Sequence, residues 1–298
     1  MEEELKDKLG AHRVKINEDM KLHTNMKVGG PADYYFEAEN EKDLVEAVKT
    51  ALDLKIHCTV IGNGANVLVS DEGIRGLVIV NKSEKINFLS DGLVEVESGV
   101  DNTSLISETT KQGLSGMERL MKVPGTIGGA VYMNAGDTGK QEFFGDLVKS
   151  VKMIDKKGNI KILLKDDCDF AYRSSRFQNS GEVILSVKIK LEQVDPKEIE
   201  KRTQDILIRK VHHPAGATVG STFKNPENYH SGELIEKADL KGKKIGGAKI
   251  SEKHANFIIN EGDATAADVK KLIDLMKKTV KEKFDVDLEE EVRYIGEW

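Results

Sequence analysis

Four glycines and two alanines fall within the thirteen residues Pro124-Gly125-Thr126-Ile127-Gly128-Gly129-Ala130-Val131-Tyr132-Met133-Asn134-Ala135-Gly136. Glycine loses more backbone entropy on folding than any other residue, so such a cluster marks a place where something approaches the backbone closely. Anion binding is the chemistry that suits it. Gly128 and Gly129, at the start of a short helical segment, would leave bare N–H groups facing outward where the helix dipole favours a phosphate. A tightly packed turn is the competing reading of this segment alone. A second loop, Gly62-Asn63-Gly64-Ala65-Asn66, lies between the apolar run 56–61 and Val67-Leu68-Val69. The order is strand, glycine loop, strand. A dinucleotide fingerprint of the doubly wound kind needs strand, GxGxxG, helix. The third glycine is missing and a strand follows at once, so that fold is rejected. Backbone amides cradling a diphosphate remain compatible with both loops.

The elements that must carry these loops follow from periodicity. Residues 41–54 read as a helix with Leu44, Val45, Val48 and Leu52 on one face, and 102–112 as another. Gly76-Leu77-Val78-Ile79-Val80 reads as a buried strand, and Val94, Val96 and Val100 mark a further strand region. Residues 151–162 form a hairpin around Lys157-Gly158. The alternation of Val183, Leu185, Val187, Ile189 and Leu191 predicts a half-solvated antiparallel strand. A charged helix runs from Pro196 to about Val211. A last long helix begins near Thr265-Ala266-Ala267-Asp268, a capping-box pattern, with Val269, Leu272, Ile273, Met276 and Val280 inward. Mixed strands, a helix and more mixed elements make an α+β chain.

Composition narrows the function classes. The 298 residues suffice for about two domains. A formal net charge of −6 disfavours a nucleic-acid partner, which would want a basic surface. No apolar run approaches the about 18 residues of a membrane span. The start Met1-Glu2-Glu3-Glu4-Leu5-Lys6 has neither the basic start nor the apolar core of a signal peptide. Cys58 and Cys168, 110 positions apart, fit free thiols in a reducing cytosol. Histidines are thinly spread, and the adjacent pair His212-His213 cannot ligate as a helical i, i+4 pair, so no metal site is expected.

Three further segments join the two loops: Thr24-Asn25-Met26-Lys27-Val28-Gly29-Gly30-Pro31-Ala32-Asp33, Tyr172-Arg173-Ser174-Ser175-Arg176-Phe177, and Gly220-Ser221-Thr222-Phe223-Lys224-Asn225-Pro226. With the tail Leu288-Glu289-Glu290-Glu291-Val292-Arg293-Tyr294-Ile295-Gly296 they occur in the order found in one enzyme family. From about residue 20 onward the chain resembles the UDP-N-acetylenolpyruvoylglucosamine reductases (MurB family, UDP-N-acetylmuramate dehydrogenases). The resemblance implies a vanillyl-alcohol-oxidase-like (PCMH-type) FAD-binding region, roughly 27–193. Its two subdomains would be 1–82 and 83–205, with a substrate domain over 206–284 and a return of 285–298 to the FAD region. It implies that NADPH reduces non-covalently bound FAD. The flavin would then reduce the enolpyruvyl group of UDP-N-acetylglucosamine-enolpyruvate, a cytoplasmic step towards peptidoglycan. Monomer is a plausible state. Only 48 positions separate Arg173 from Ser221, and a strand and a helix fill them, so the chain resembles the type without an inserted tyrosine loop. Two departures stand out: Lys122 where a small residue is usual, and Ala65 where serine is commoner, at the loss of one hydroxyl contact.

The resemblance assigns roles residue by residue. Gly62, Asn63, Gly64, Ala65 and Asn66 would hold the cofactor together with Pro124, Gly125, Thr126, Gly128, Gly129 and Ala130. Hydride addition to an enol ether leaves negative charge on the neighbouring carbon and its carboxylate, which calls for a cation and a proton source. Arg173 would be the cation, its planar fork matching a carboxylate. Glu291 would hydrogen-bond the developing enol, and Ser221 would donate the proton. Tyr172, Lys224, Asn225 and His254 would line the substrate, with Asn256 beside His254 at its nucleotide end. Read without the resemblance, Arg173 is a surface ion-pair residue, Ser221 a turn serine and Glu291 part of a solvated acidic edge. His57 is expected to pack on its strand. The alternatives are another PCMH-type oxidoreductase acting on a hydroxy acid or sugar, and a non-catalytic nucleotide-binding module.

Overall fold

The computed structural model describes all 298 residues. They gather into two units, each drawn from three separated segments. The larger comprises Met1–Lys15, Tyr34–Asn63 and Gly76–Val211, and the smaller Ile16–Asp33, Gly64–Arg75 and His212–Trp298.

In the larger unit, apolar alternation builds a five-stranded antiparallel sheet in the order Ile160–Leu164, Val148–Ile154, Val183–Lys190, Leu93–Glu97, Ile86–Phe88. The strand Val183–Lys190 departs from expectation. It is central rather than half-solvated, and Ile184, Leu185, Ser186 and Val187 are all buried. The helices Glu41–Asp53 and Ile127–Met133 both pack on it, so the polar position at Ser186 finds no water, while Lys190 at the strand's end is exposed. Ser186 is the small polar residue that such a position admits. Helix Glu41–Asp53 begins where Asn40 Oδ1 accepts from Asp43 N–H at 2.9 Å. It buries Leu44, Ala47, Val48 and Ala51, a stripe at helical spacing. Strand Cys58–Ile61 pairs in parallel with Ile74–Asn81, placing Cys58 opposite Leu77 and Ile61 opposite Val80. Leu77, Val78, Ile79 and Val80 are buried without alternation, as a strand covered on both faces requires. His57, expected to pack, is exposed just ahead of this pair. The acidic start folds as helix Glu2–Leu9, which buries Leu5 and Leu9 four residues apart.

The smaller unit holds an antiparallel sheet in the order Ala217–Ser221, Phe257–Asn260, Ala248–Ile250, Lys244–Ile245. Helix Ala266–Phe284 packs across it and buries the stripe read from the sequence, Val269, Leu272, Ile273, Met276 and Val280. Its capping box is formed: Thr265 Oγ1 accepts from Asp268 N–H and Asp268 Oδ2 from Thr265 N–H, both at 3.1 Å. Asp71, far away in sequence, adds a second cap. Its carboxylate accepts from Ala266 N–H at 2.8 Å and Ala267 N–H at 2.9 Å. Strand Arg293–Ile295 lies parallel to Val67–Val69, with Arg293 opposite Val67.

Candidate cofactor and active site

Strand Cys58–Ile61 delivers Gly62 against the second glycine segment. A Cβ on Gly62 would stand 2.3 Å from Thr126 Oγ1, so only glycine lets the two loops meet. Asn63 Nδ2 donates to Asp101 Oδ2 at 3.1 Å. Asp101 Oδ1 caps helix Asn102–Lys111 by accepting from Thr103 N–H and Ser104 N–H, and Asp101 forms an isolated bridge to Thr126. Gly125, which follows Pro124, has φ 125° and accepts from Asn102 N–H at 3.0 Å. One aspartate thus ties both loops and a helix start together.

The first turn of helix Ile127–Met133 corrects one expectation. Ile127 N–H donates to Val100 O at 2.9 Å and Gly128 N–H to Ser98 O at 2.7 Å, so the Gly128 amide is not bare. Glycine is needed there because a Cβ would meet Ser98 Cβ and O at 3.0 Å. Ser98 is itself fixed in the core, its Oγ accepting from Asn81 Nδ2 at 2.8 Å and donating to Ile184 O at 2.7 Å. Gly129 is the open position. Its N–H reaches Thr126 Oγ1 at only 3.5 Å, and a Cβ there would meet nothing nearer than 3.8 Å. Ala130 is buried and its N–H is bonded to Thr126 O at 2.8 Å. Room for a guest therefore exists over Gly129 and not over Gly128, and an anion fits that face.

The rest of the first loop belongs to the smaller unit. Gly64 has φ 61°, and a Cβ there would stand 2.3 Å from His23 O. Asn66 Nδ2 donates to Glu291 O and Asn66 O accepts from Arg293 N–H, both at 3.0 Å.

Arg173, in the larger unit, sits in a tight turn where Ala171 and Ser174 exchange both main-chain hydrogen bonds at 3.1 Å. Its φ of 52° is left-handed, a conformation that costs a non-glycine residue about 1 kcal/mol or more and clusters at functional sites. Nη2 donates to Gly136 O at 3.3 Å, and the guanidinium lies 5.6 Å from the centre of the Tyr172 ring. Tyr172 is 36% exposed and tilts against Phe143. Near Lys210 the structure gathers cations, Arg173 among them, a grouping that motif reading missed. Lys210 Nζ donates to Met121 O at 2.8 Å. Burial pushes the Lys210 ammonium down to about 8, nearby Asp137 opposes that, and Arg173, Arg209 and Lys122 add to it. Asp137 is paired with Arg209 at 2.7 Å. Adjacent Arg209-Lys210 at the end of a charged helix was the available signal, and it looks the same as a solvated surface.

Ser221 and Glu291 come together within the smaller unit. Ser221 closes strand Ala217–Ser221 opposite Phe257. The next residue, Thr222, is fully buried, and its carbonyl accepts from Glu291 N–H at 2.8 Å. Lys224 pairs with Glu289 at 2.6 Å. Asn225 Oδ1 accepts from Ser231 N–H at 3.1 Å, at the start of helix Ser231–Lys237. His254 Nδ1 accepts from Asn256 N–H at 3.3 Å, and its ring stands edge-on to Phe257 and His213. Burial is the main cause that lowers the His254 pKa.

Residues 211–295 match the family described as UDP-N-acetylenolpyruvoylglucosamine reductase, C-terminal domain, and residues 32–163 match the FAD binding domain. UDP-N-acetylenolpyruvoylglucosamine reductase of Clostridium botulinum (strain 657 / Type Ba4) is 41% identical, over 99% of this chain and 96% of that one. The chain belongs to that family. The reductase of Caldanaerobacter subterraneus subsp. tengcongensis is 40% identical, over 99% and 98% of the two chains. The crystal structure of the Thermus caldophilus reductase superposes with a TM-score of 0.81 at 32% identity, covering 95% of this chain and 98% of that one. The α+β fold is therefore a PCMH-type FAD-binding domain with the family's C-terminal domain. The chain is an FAD- and NADPH-dependent UDP-N-acetylmuramate dehydrogenase of peptidoglycan precursor synthesis. The match over 211–295 sets aside both a hydroxy-acid or sugar oxidase and a non-catalytic module. No helix is long and apolar enough to cross a membrane.

Proposed function

We propose that the substrate is UDP-N-acetylglucosamine-enolpyruvate, reduced in the cytoplasm by a monomer of the type without the tyrosine loop. Residues 1–82 and 83–205 then serve the cofactor, 206–284 the substrate, and 285–298 bring Glu291 back. FAD, when bound, would supply the two-electron chemistry, namely a hydride for the terminal methylene carbon of the enol ether. Arg173 stabilises the carboxylate as the adjacent carbon gains charge, and Glu291, when its carboxyl carries a proton, hydrogen-bonds the developing enol. Ser221 Oγ–H gives its proton to that carbon, and the alkoxide left behind is reprotonated from solvent. Tyr172, Lys224, Asn225 and His254 are proposed as its further contacts. The cofactor is proposed to lie over Gly62–Asn66 and the Gly129 face.

The observation that carries this reading is the Thr222 carbonyl, which holds Glu291 one residue from Ser221. Stopped-flow absorbance of the two half-reactions tests it. Ser221→Ala should leave flavin reduction by NADPH unchanged and slow reoxidation by substrate ~10²–10⁴-fold, the scale of a lost general acid. Ser221→Cys should recover much of that rate. Arg173→Lys keeps charge but loses the fork, and it and Glu291→Gln should each slow reoxidation by on the order of 10²–10³. Wild-type reoxidation in Ser221→Ala would return Ser221 to a turn residue.

A further inference from the structure

Ser221 lies at the irregular end of its strand, in register with Phe257. The strand register slips between Thr218 and Ser221, and Gly220 there has φ 80° with no atom within 4 Å of where a Cβ would stand. Upstream, Gly220 N–H donates to Thr218 Oγ1 at 3.2 Å, a short-range bond within the irregular stretch. Downstream, the chain is clamped. Thr222 N–H donates to Asn256 O at 2.8 Å, as a continuing ladder requires. At Phe223 the ladder gives way to a side chain. Phe223 N–H donates to Asn256 Oδ1 at 3.0 Å, and Asn256 Nδ2 donates to Phe223 O at 2.8 Å. The Asn256 amide thus replaces a strand peptide with both its donor and its acceptor. Asn256 is 3% exposed and Phe223 1%, so water cannot take over these bonds. On the far side, Thr222 O receives Glu291 N–H.

We propose that Asn256 is a positioning residue for reduction of the substrate, fixing the Thr222–Phe223 main chain and through it the spacing of Ser221 and Glu291. This rests on the reading that Ser221 and Glu291 act on the substrate. Its role is then distinct from a contact at the nucleotide end. Only a group that both donates and accepts in one plane fits between Phe223 N–H and C=O. A carboxylate accepts only, whereas a protonated carboxyl has the donor and acceptor of an amide.

That difference supplies the test. Asn256→Asp, in the flavin-loaded full chain, should reoxidise with substrate about tenfold or more slowly than wild type above pH 8. The deficit should close as pH falls towards about 5.5, because burial raises the pKa of the introduced carboxyl and its protonated form restores both bonds. Flavin reduction by NADPH should stay within about twofold of wild type at each pH. Comparison at the same pH removes any titration of His254, whose Nδ1 accepts from Asn256 N–H. The charges flanking this segment, Lys224 with Glu289 and Lys277 with Glu290, are ion-paired. If Asn256→Asp loses its flavin or its circular dichroism, Asn256→Ala carries the same test without a charge. It should slow reoxidation alone, with no recovery at low pH. Equal slowing of both half-reactions in both variants would reduce Asn256 to a fold residue and overturn the proposal, as would wild-type reoxidation in either. If Ser221→Ala and Glu291→Gln are slow while the Asn256 variants are not, this inference alone fails. If those two are themselves fast, the reading of the site fails.

Discussion

At the scale of single residues, two neighbouring glycines are present for opposite reasons. Gly128 is small because Ser98 crowds it, and Gly129 because nothing does. Gly128→Val should therefore lower the melting temperature, overpacking typically costing about 1–3 kcal/mol. Gly129→Val should fold normally and purify short of flavin. Thermal melts and the 450-nm-region absorbance per protein separate the two, and a colourless, stable Gly128→Val with a yellow Gly129→Val would reverse the assignment. Lys210 gives a pH-dependent prediction. Below about 8 it is charged in both folded and unfolded states, and its burial penalty stands in full. Between about 8 and 10.5 the native state sheds the proton first, the unfolded state binds more, and stability from this group rises with pH. Lys210→Met should raise the melting temperature at pH 7, and the gain should shrink by pH 10. An unchanged gain would mean Lys210 is solvated. The glycine loops and the Arg173, Ser221 and Glu291 segments are legible as motifs because their residue types are unusual for their position. Asn256 and Lys210 are not, since a buried asparagine and a half-buried lysine read from sequence as polar surface.

At the scale of elements, legibility follows how local the determinants are. Helix Ala266–Phe284 is readable to its first residue because Thr265 and Asp268 form its cap within one turn. Burial of Ile184–Val187 on both faces is not readable, because the helices that cover this stretch come from residues 41–53 and 127–133. The second cap on helix Ala266–Phe284 is equally hidden, as Asp71 lies 195 positions from Ala266. Two N–H groups and the positive end of a 19-residue helix converge on this carboxylate. Asp71→Ala should cost about 1–2 kcal/mol and Asp71→Asn less, since the amide keeps an acceptor but not the charge. Urea unfolding measures this, and a midpoint unchanged in Asp71→Ala would leave the local capping box as the whole cap.

At the scale of the molecule, composition bounds the chain to about two domains but cannot show how they are threaded. Each unit takes three segments, because strands and loops pair by shape rather than by sequence order. The final segment illustrates this: Leu288 and Val292 are buried in the smaller unit's core, and Ser70 Oγ donates to Glu297 O. Val292→Asp should destabilise by several kcal/mol, as an unpaired charge in a core does. If its denaturation midpoint matched that of the wild type, the segment would not be an integral part of the fold.

The parallel pairing of Val67–Val69 with Arg293–Ile295 also sets a clock. Arg293 follows Val67 by 226 residues. At roughly 5–20 residues per second, translation leaves the earlier strand without its partner for about 10–45 s. The same interval separates Asp71 from the helix it caps, to within a few seconds. During synthesis the smaller unit therefore exists only as waiting pieces, with the strand at Leu68 unpaired on this edge until Arg293–Ile295 has been made. Of the two units, this is the one whose newborn form most needs shielding by a chaperone.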